Sequence, residues 1–158
     1  MEKIFKYKDL NKLLKTSGNK GFILVGGCFD ILHFGHIKFL ENAKKYGDKI
    51  IIALESDKRV RKLKGENRPF HKQTERAEIL ANLTLVDYII MLPSFSKDSD
   101  YKRLVETIRP EVIATTAGDQ YLKQKKKQAE KVGAKVVTVT PRIHPFSSSK
   151  LAQTLGLD

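Results

Sequence analysis

The run Ile50-Ile51-Ile52-Ala53-Leu54 carries five apolar residues in succession, with Lys49 before it and Glu55 after it. A strand with one wet face alternates apolar and polar residues; a run without alternation needs cover on both faces, which is the habit of buried parallel strands. Phe22-Ile23-Leu24-Val25 has the same character, and further strands are expected at 86–92, 111–115 and 135–139 beside those at 21–26 and 49–54. Between them the apolar period lengthens to that of helices, expected at 8–17, 34–46, 56–62, 73–82, 100–108 and 120–132, with a last one starting near Ser147. Gly18, Gly47 and Gly133 stop helices, Ser56 caps one, and Pro110 breaks the chain before a strand. This alternation predicts a three-layer, Rossmann-like α/β fold, a doubly wound sheet of about five parallel strands. The 158 residues suit one domain, 1–158, in which 1–20 reads as a lysine-rich helical extension, and no internal repeat or low-complexity linker interrupts it.

Composition narrows the partners. The formal net charge is +12 with pI about 9.8, which favours anionic ligands. Lys123, Lys125, Lys126 and Lys127 fall on one expected helix and read as a solvated face; no aromatics interleave with them, so nucleic acid is not the partner expected by this criterion. No apolar run reaches the ~20 residues that span a bilayer, and the N-terminus lacks a signal-peptide core. Cys28 is the single cysteine, so no intrachain disulfide forms; the expected setting is the cytoplasm, without a membrane partner.

The chemistry concentrates after the first long apolar run, in Gly26-Gly27-Cys28-Phe29-Asp30-Ile31-Leu32-His33-Phe34-Gly35-His36. This is a strand-to-helix turn, where free backbone N–H groups and the positive end of the helix dipole favour phosphate. Two imidazoles three residues apart share a helix face and can hold one triphosphate, while Gly35 allows close approach to the backbone. In an open parallel sheet ligands gather beyond the carboxyl ends of the strands. That rule brings Arg68, Gly118-Asp119 and the stretch from Arg142 to Ser149 towards the same rim. No Ser/His/Asp or Cys/His constellation accompanies them, and a metal site made of protein ligands is not expected.

Residues 26–36 resemble the first signature of the His-x-Gly-His nucleotidyltransferase superfamily, the cytidylyltransferase-like group, and Ser147-Ser148-Ser149-Lys150-Leu151 resembles its second. Within that group the chain is most similar to the adenylyltransferase domain of bacterial ADP-heptose synthesis, through Tyr46 to Asp57, through Lys62-Leu63-Lys64-Gly65-Glu66-Asn67-Arg68-Pro69, and through Glu75-Arg76 with Ile79-Leu80-Ala81. Glycerol-3-phosphate cytidylyltransferases and archaeal FAD synthetases are similar over shorter stretches. Thr115 to Tyr121 and Ile143 to Phe146 depart from the heptose pattern, which leaves ATP against CTP, and the acceptor, open.

The resemblance implies transfer of a nucleoside monophosphate from an NTP, ATP first, to a phosphorylated acceptor such as heptose 1-phosphate in lipopolysaccharide biosynthesis, releasing pyrophosphate. It implies Mg²⁺ held by phosphate oxygens and water, and a homodimer. His33 and His36 are then donors to the triphosphate, joined in catalysis by Lys64 and Arg68 reaching over the phosphates from a flexible loop. Cys28 and Phe29 would offer backbone N–H groups, Asp30 would orient Mg²⁺ or the acceptor, and Asp119 would meet base, ribose or Mg²⁺. Ser147, Ser148 and Ser149 would donate to the β- and γ-phosphates, and Arg76 and Arg142 would meet the acceptor. Two other classes stand beside this one: a basic nucleic-acid-binding module without catalysis, and a fragment of a class I aminoacyl-tRNA synthetase, for which the chain is short and lacks the Lys-Met-Ser-Lys-Ser sequence.

Overall fold

In the computed structural model, which describes residues 1–18, 20–141 and 147–156, the uninterrupted apolar runs lie side by side in one parallel sheet. Its strands are β1 (Ile4–Lys6), β2 (Phe22–Gly27), β3 (Lys49–Leu54), β4 (Tyr88–Met91), β5 (Val112–Thr116) and β6 (Lys135–Thr140), in the order β1-β4-β3-β2-β5-β6. Every neighbouring pair is parallel. The helices are α1 (Leu10–Ser17), α2 (Phe34–Lys44), α3 (Asp57–Lys64), α4 (Gln73–Ala81), α5 (Asp98–Ile108), α6 (Leu122–Val132) and α7 (Ser148–Thr154), with a 3₁₀ turn at Tyr7–Asp9.

The absence of alternation in the strands is explained by two cores. Leu24, Ile51, Ala53 and Ile90 face one side with Leu10 and Leu13 of α1, Leu104 and Val105 of α5 and Ala129 of α6. Ile23, Val25, Ile50, Ile52 and Leu54 face the other with Leu40 and Ala43 of α2 and Ala77 and Leu80 of α4. Successive residues of each strand therefore enter opposite apolar layers, as the period of two requires. Gly47 closes the α2–β3 turn: a Cβ there would lie 2.9 Å from Ile23 Cγ1 and 3.0 Å from the Gly21 carbonyl oxygen.

Six strands replace the expected five. The addition is β1, inside the stretch read as a helical extension, where Ile4, Phe5 and Lys6 pair with Ile89, Ile90 and Met91 at the edge of the sheet. Three residues are too few to display a period, and the lysines around them suggested helix. Among the described residues of that stretch, only Leu10–Ser17 are α-helical.

The order of the strands also sets the position of the site. From β2 the chain moves one way to β3 and β4, and it later returns to the other side of β2 with β5 and β6. The carboxyl ends of β2 and β5 thus flank a switch point, where the loops leave in opposite directions and open a crevice.

Candidate active site

A cavity of about 290 Å³ occupies that crevice. Its floor is Gly26 and Gly27 at the end of β2 with Thr116 and Thr140 at the ends of β5 and β6; Cys28, Phe29, His33, Gly35, His36 and Phe39 form one wall, and Lys64, Pro141, Ser147 and Ser148 the other. Three segments far apart in sequence, the histidine turn, the end of α3 and the serine segment, meet there. Lys64 Nζ donates to Ser148 Oγ at 3.3 Å across the opening.

The histidine turn is locked by its own side chains. His33 caps α2, accepting at Nδ1 from the Gly35 N–H at 3.0 Å, and the His33 N–H donates to Nδ1 of His36 at 3.3 Å. With both Nδ1 atoms accepting, each neutral ring carries its proton on Nε2. The rings stack at 3.9 Å between centroids, and Phe29 lies 5.1 Å from His36. Burial, and after it His33 and Lys64, lower the His36 pKa to about 3. His33 is lowered by burial and then by Lys64. The pair is therefore neutral near pH 7: two Nε2–H donors, not two cations. Phe29 holds a left-handed φ of 46°, a conformation a bulky residue keeps only where its surroundings enforce it. Gly27 makes room for it, since a Cβ at Gly27 would sit 2.8 Å from the Phe29 ring.

Several expected site residues are bonded to the protein's own groups. Asp30 and Arg68 are 1% and 2% exposed, and Arg68 Nε donates to Asp30 Oδ2 at 2.6 Å. The N–H groups of Phe70 and His71 also donate to Asp30, at 2.8 and 3.0 Å. Burial raises the Asp30 pKa, but the Phe70 N–H, Arg68 and the His71 N–H outweigh it and hold the carboxyl below its ordinary value. Asp30 thus fastens the 68–71 loop to the histidine turn, and Arg68 lies buried beside it. Arg76, expected at the acceptor, is fully buried. Its guanidinium donates to the carbonyl oxygens of Cys28 (2.6 Å), Glu55 (2.9 Å) and His71 (3.0 Å) and to Asp57 Oδ1 (2.7 Å), tying the ends of β2 and β3 together.

Asp119 is likewise engaged. Its carboxylate accepts from Thr115 Oγ1 and Lys125 Nζ, each at 2.5 Å, and from the Tyr121 N–H at 2.8 Å. Burial raises its pKa, and the bonds from Lys125, Thr115 and Tyr121 reverse this to a net lowering. Lys125 therefore leaves the solvated row, whereas Lys123, Lys126 and Lys127 remain exposed. Ser147 caps α7, accepting from the Lys150 N–H at 3.0 Å; Ser148 is buried against the cavity and Ser149 is exposed outside it. Arg142 lies outside the described residues. Burial pushes the Cys28 thiol up, which favours its protonated form.

Sequence reasoning missed Phe39, Thr116 and Thr140 as lining residues. The two threonines carried a usable signal, since each ends an apolar strand on the ligand side. Glu55, Arg59, Tyr101 and Tyr121 were also missed. They cluster one strand away, where Tyr101 donates to Glu55 Oε1 at 2.9 Å and Arg59 Nη2 to the Tyr121 hydroxyl at 3.3 Å.

This arrangement, neutral imidazole donors and one lysine around a crevice at the switch point of a parallel sheet, is equipped to bind phosphate groups. Residues 24–153 match the family described as Cytidylyltransferase-like. The chain belongs to the cytidylyltransferase-like family and is a nucleotidyltransferase. It is 36% identical over 157 residues to the bifunctional protein HldE of Campylobacter jejuni, covering 98% of this chain and 32% of that protein. It is 40% identical over 132 residues to HldE of Geotalea uraniireducens, covering 82% of this chain and 26% of that protein. The chain thus spans about a third or less of the length of these curated relatives. Among solved structures, the lipopolysaccharide core biosynthesis protein from Thermoplasma volcanium superposes with a TM-score of 0.59 at 24% identity, covering 80% of this chain and 98% of that one. Pantoate-beta-alanine ligase from Francisella tularensis gives 0.68 at 16%, covering 92% and 69%. These two likenesses bear on the fold alone.

Proposed function

We propose that the chain transfers a nucleoside monophosphate, from ATP first, to a phosphorylated sugar such as heptose 1-phosphate and releases pyrophosphate. The observation that carries the reading is the stacked, neutral His33–His36 pair opposite Lys64 and Ser148 in a cavity at the switch point. The preference for ATP and a heptose phosphate is supported by the resemblance of residues 46–76 to ADP-heptose adenylyltransferases and by the identity to the HldE proteins.

In this reaction an oxygen of the acceptor phosphate attacks the α-phosphorus. A new phosphoanhydride bond forms as the bond from the α-phosphorus to its bridging oxygen breaks, and the electron pair leaves with pyrophosphate. An acceptor phosphate carries about −1.5 to −2 charges near pH 7 and needs no general base. Catalysis is then positioning and charge stabilisation. His33 and His36 donate from Nε2 to phosphate oxygens, Lys64 is the cation among the described lining residues, and Ser148 adds a hydroxyl.

Among the described residues no group of three His, Cys, Asp or Glu side chains could hold a metal, and Asp30 and Asp119 are occupied by protein donors. Mg²⁺ enters the proposal as a companion of the triphosphate, held by its oxygens and water. A homodimer in the cytoplasm completes the reading, supported by the resemblance, by the prevalence of symmetric dimers and by the single cysteine. No described helix is long and apolar enough to cross a membrane.

The test is pyrophosphate release with Mg²⁺ across ATP, CTP, GTP and UTP, each paired with heptose 1-phosphate, glycerol 3-phosphate, phosphocholine and FMN. Release confined to ATP with the heptose phosphate is expected. Release with CTP and glycerol 3-phosphate instead would replace both substrates while keeping the chemistry. Absence of NTP binding, with salt-dependent RNA binding in its place, would overturn the reading in favour of a basic binding module.

A further inference from the structure

The peptide that joins Cys28 to Phe29 is held from behind. Arg76, one turn into α4 and fully buried, donates from Nη1 to the Cys28 carbonyl oxygen at 2.6 Å. Cys28 and Phe29 line the cavity, and Arg76 does not. The peptide is trans, so its carbonyl oxygen and its N–H point in opposite directions. With the oxygen turned inward to Arg76, the Phe29 N–H turns the other way, toward the cavity. That N–H has no acceptor among the described residues.

The left-handed φ of 46° at Phe29 belongs to the same device. This angle is the twist between the peptide plane and the other groups on the Phe29 Cα, and both sides of it are fixed. Arg76 fixes the plane. On the other side the Phe29 ring lies 5.1 Å from His36, and the next residue, Asp30, is bonded to Arg68, Phe70 and His71. Rotation of the peptide would relax Phe29, but it would break the Arg76 bond and turn the N–H inward. The guanidinium cannot follow the Cys28 oxygen, because it also donates to the carbonyl oxygens of Glu55 and His71 and to Asp57 Oδ1. A lysine donates from a single point and cannot span this set. We propose that Arg76 is a positioning residue: without touching substrate, it holds the Phe29 N–H toward the cavity as a donor to a phosphate oxygen of the bound nucleotide. The role rests on the proposed transferase reading for the identity of that phosphate.

NMR of the full chain with ¹⁵N-labelled phenylalanine, bound to ATP and Mg²⁺ without acceptor, reads the donor directly. A scalar coupling between the Phe29 amide and a phosphorus of ATP is expected in the wild type, since the two are joined through one hydrogen bond. Steady-state kinetics and melting curves accompany it for Arg76→Lys, Asp57→Asn and Leu104→Ala. Leu104→Ala opens the core on the other side of the sheet and serves as a destabilised control. Arg76→Lys is expected to lose the coupling and to lower kcat about 10²-fold, with a smaller change in the KM for ATP. Leu104→Ala should melt earlier yet keep both the coupling and kcat. Absence of the coupling in the wild type overturns the role. So does an Arg76→Lys that melts earlier but keeps coupling and kcat, as a purely structural arginine would. If Arg76→Lys does not fold, Asp57→Asn decides, because it loosens the guanidinium at its half-buried end. A weakened coupling with kcat lowered about tenfold supports the role, and both unchanged overturns it. Pyrophosphate release by the wild type keeps the two proposals apart. Coupling without release removes the transferase reading and leaves the role of Arg76 in binding; release without coupling removes that role alone.

Discussion

The histidine turn and the Asp30–Arg68–Arg76 knot adjoin each other and are built from the same kind of material, yet they use polar groups in opposite ways. In the turn, burial strips His33 and His36 of charge and leaves donors facing a cavity. In the knot, full charges are kept and sealed: Asp30 is matched by Arg68 and two backbone N–H groups, and Arg76 by three carbonyl oxygens and Asp57. A positive residue near a phosphate site is therefore no guide by itself to what touches the phosphate. The cations of the knot shape the backbone on which the neutral donors stand.

Breaking the knot should give the largest effect on stability. Asp30→Ala strands the Arg68 guanidinium and two loop N–H groups, and loss of one partner of a buried pair is worth about 3–5 kcal/mol. Urea denaturation of Asp30→Ala and Arg68→Ala is expected to show losses of that size. A loss under about 1 kcal/mol in both would mean the pair is not sealed in solution. The turn should respond in the reverse sense. His36→Ala and His33→Ala are expected to lower kcat by about 10²–10³, as for other donors to a developing charge, while stability falls by about 1 kcal/mol where the His33 cap is lost. Near-normal turnover in either variant would remove the imidazoles from the chemistry.

The contrast extends to pH. The unfolded chain protonates His36 near 6.5, whereas the folded chain resists protonation down to about 3. Between those values the unfolded state binds the extra proton, so stability falls as pH falls through that window. His36→Gln should flatten the decline between pH 6.5 and 4, measured by denaturation at a series of pH values. The lowered Asp30 adds its own loss further down, below the ordinary carboxyl pKa, and that part of the curve should survive in His36→Gln. An unaltered slope between pH 6.5 and 4 would show that His36 titrates normally. Gly27→Ala perturbs the same ring from behind. The new Cβ meets the Phe29 ring at 2.8 Å, and overpacking of this kind is worth about 1–3 kcal/mol. Because Phe29 lies against His36, the KM for the NTP should rise as well, and steady-state kinetics beside a melting curve would detect both.

What was legible in the sequence follows the same division. The apolar runs announced the sheet because two-sided burial leaves a mark in every residue of the strand, as at Ile50 to Leu54. The histidine turn was legible because its residue types and its place at a strand-to-helix turn are both unusual. β1 was not, since three residues bonded along one edge leave no period. Nor was the fate of the charged residues. Lys64 and Arg68 lie four apart in one basic loop sequence, but one ends a helix at the cavity and the other turns inward to Asp30. Asp119 was read as a ligand-facing carboxylate, and in the fold Thr115, the Tyr121 N–H and Lys125, one turn into α6, engage it. Exposure depends on which partner the fold brings near, whether 38 residues away, as for Asp30 and Arg68, or six, as for Asp119 and Lys125.

Lys64 tests the boundary between the two regions with the smallest expected effect. It lines the cavity and reaches Ser148, so it belongs to the site, yet its charge also acts on both imidazoles and helps keep them neutral. Lys64→Met keeps a flexible chain of similar length and deletes the charge. The His33 and His36 pKa values should both move upward, with burial still holding them below their ordinary value because it is the larger cause for each. Titration of the imidazole proton resonances by NMR would follow the two rings separately. Upward movement of both, together with a raised KM for the NTP, is the expected pattern and places one cation in both roles. A raised KM with unmoved pKa values would confine Lys64 to phosphate contact and leave neutrality to burial alone.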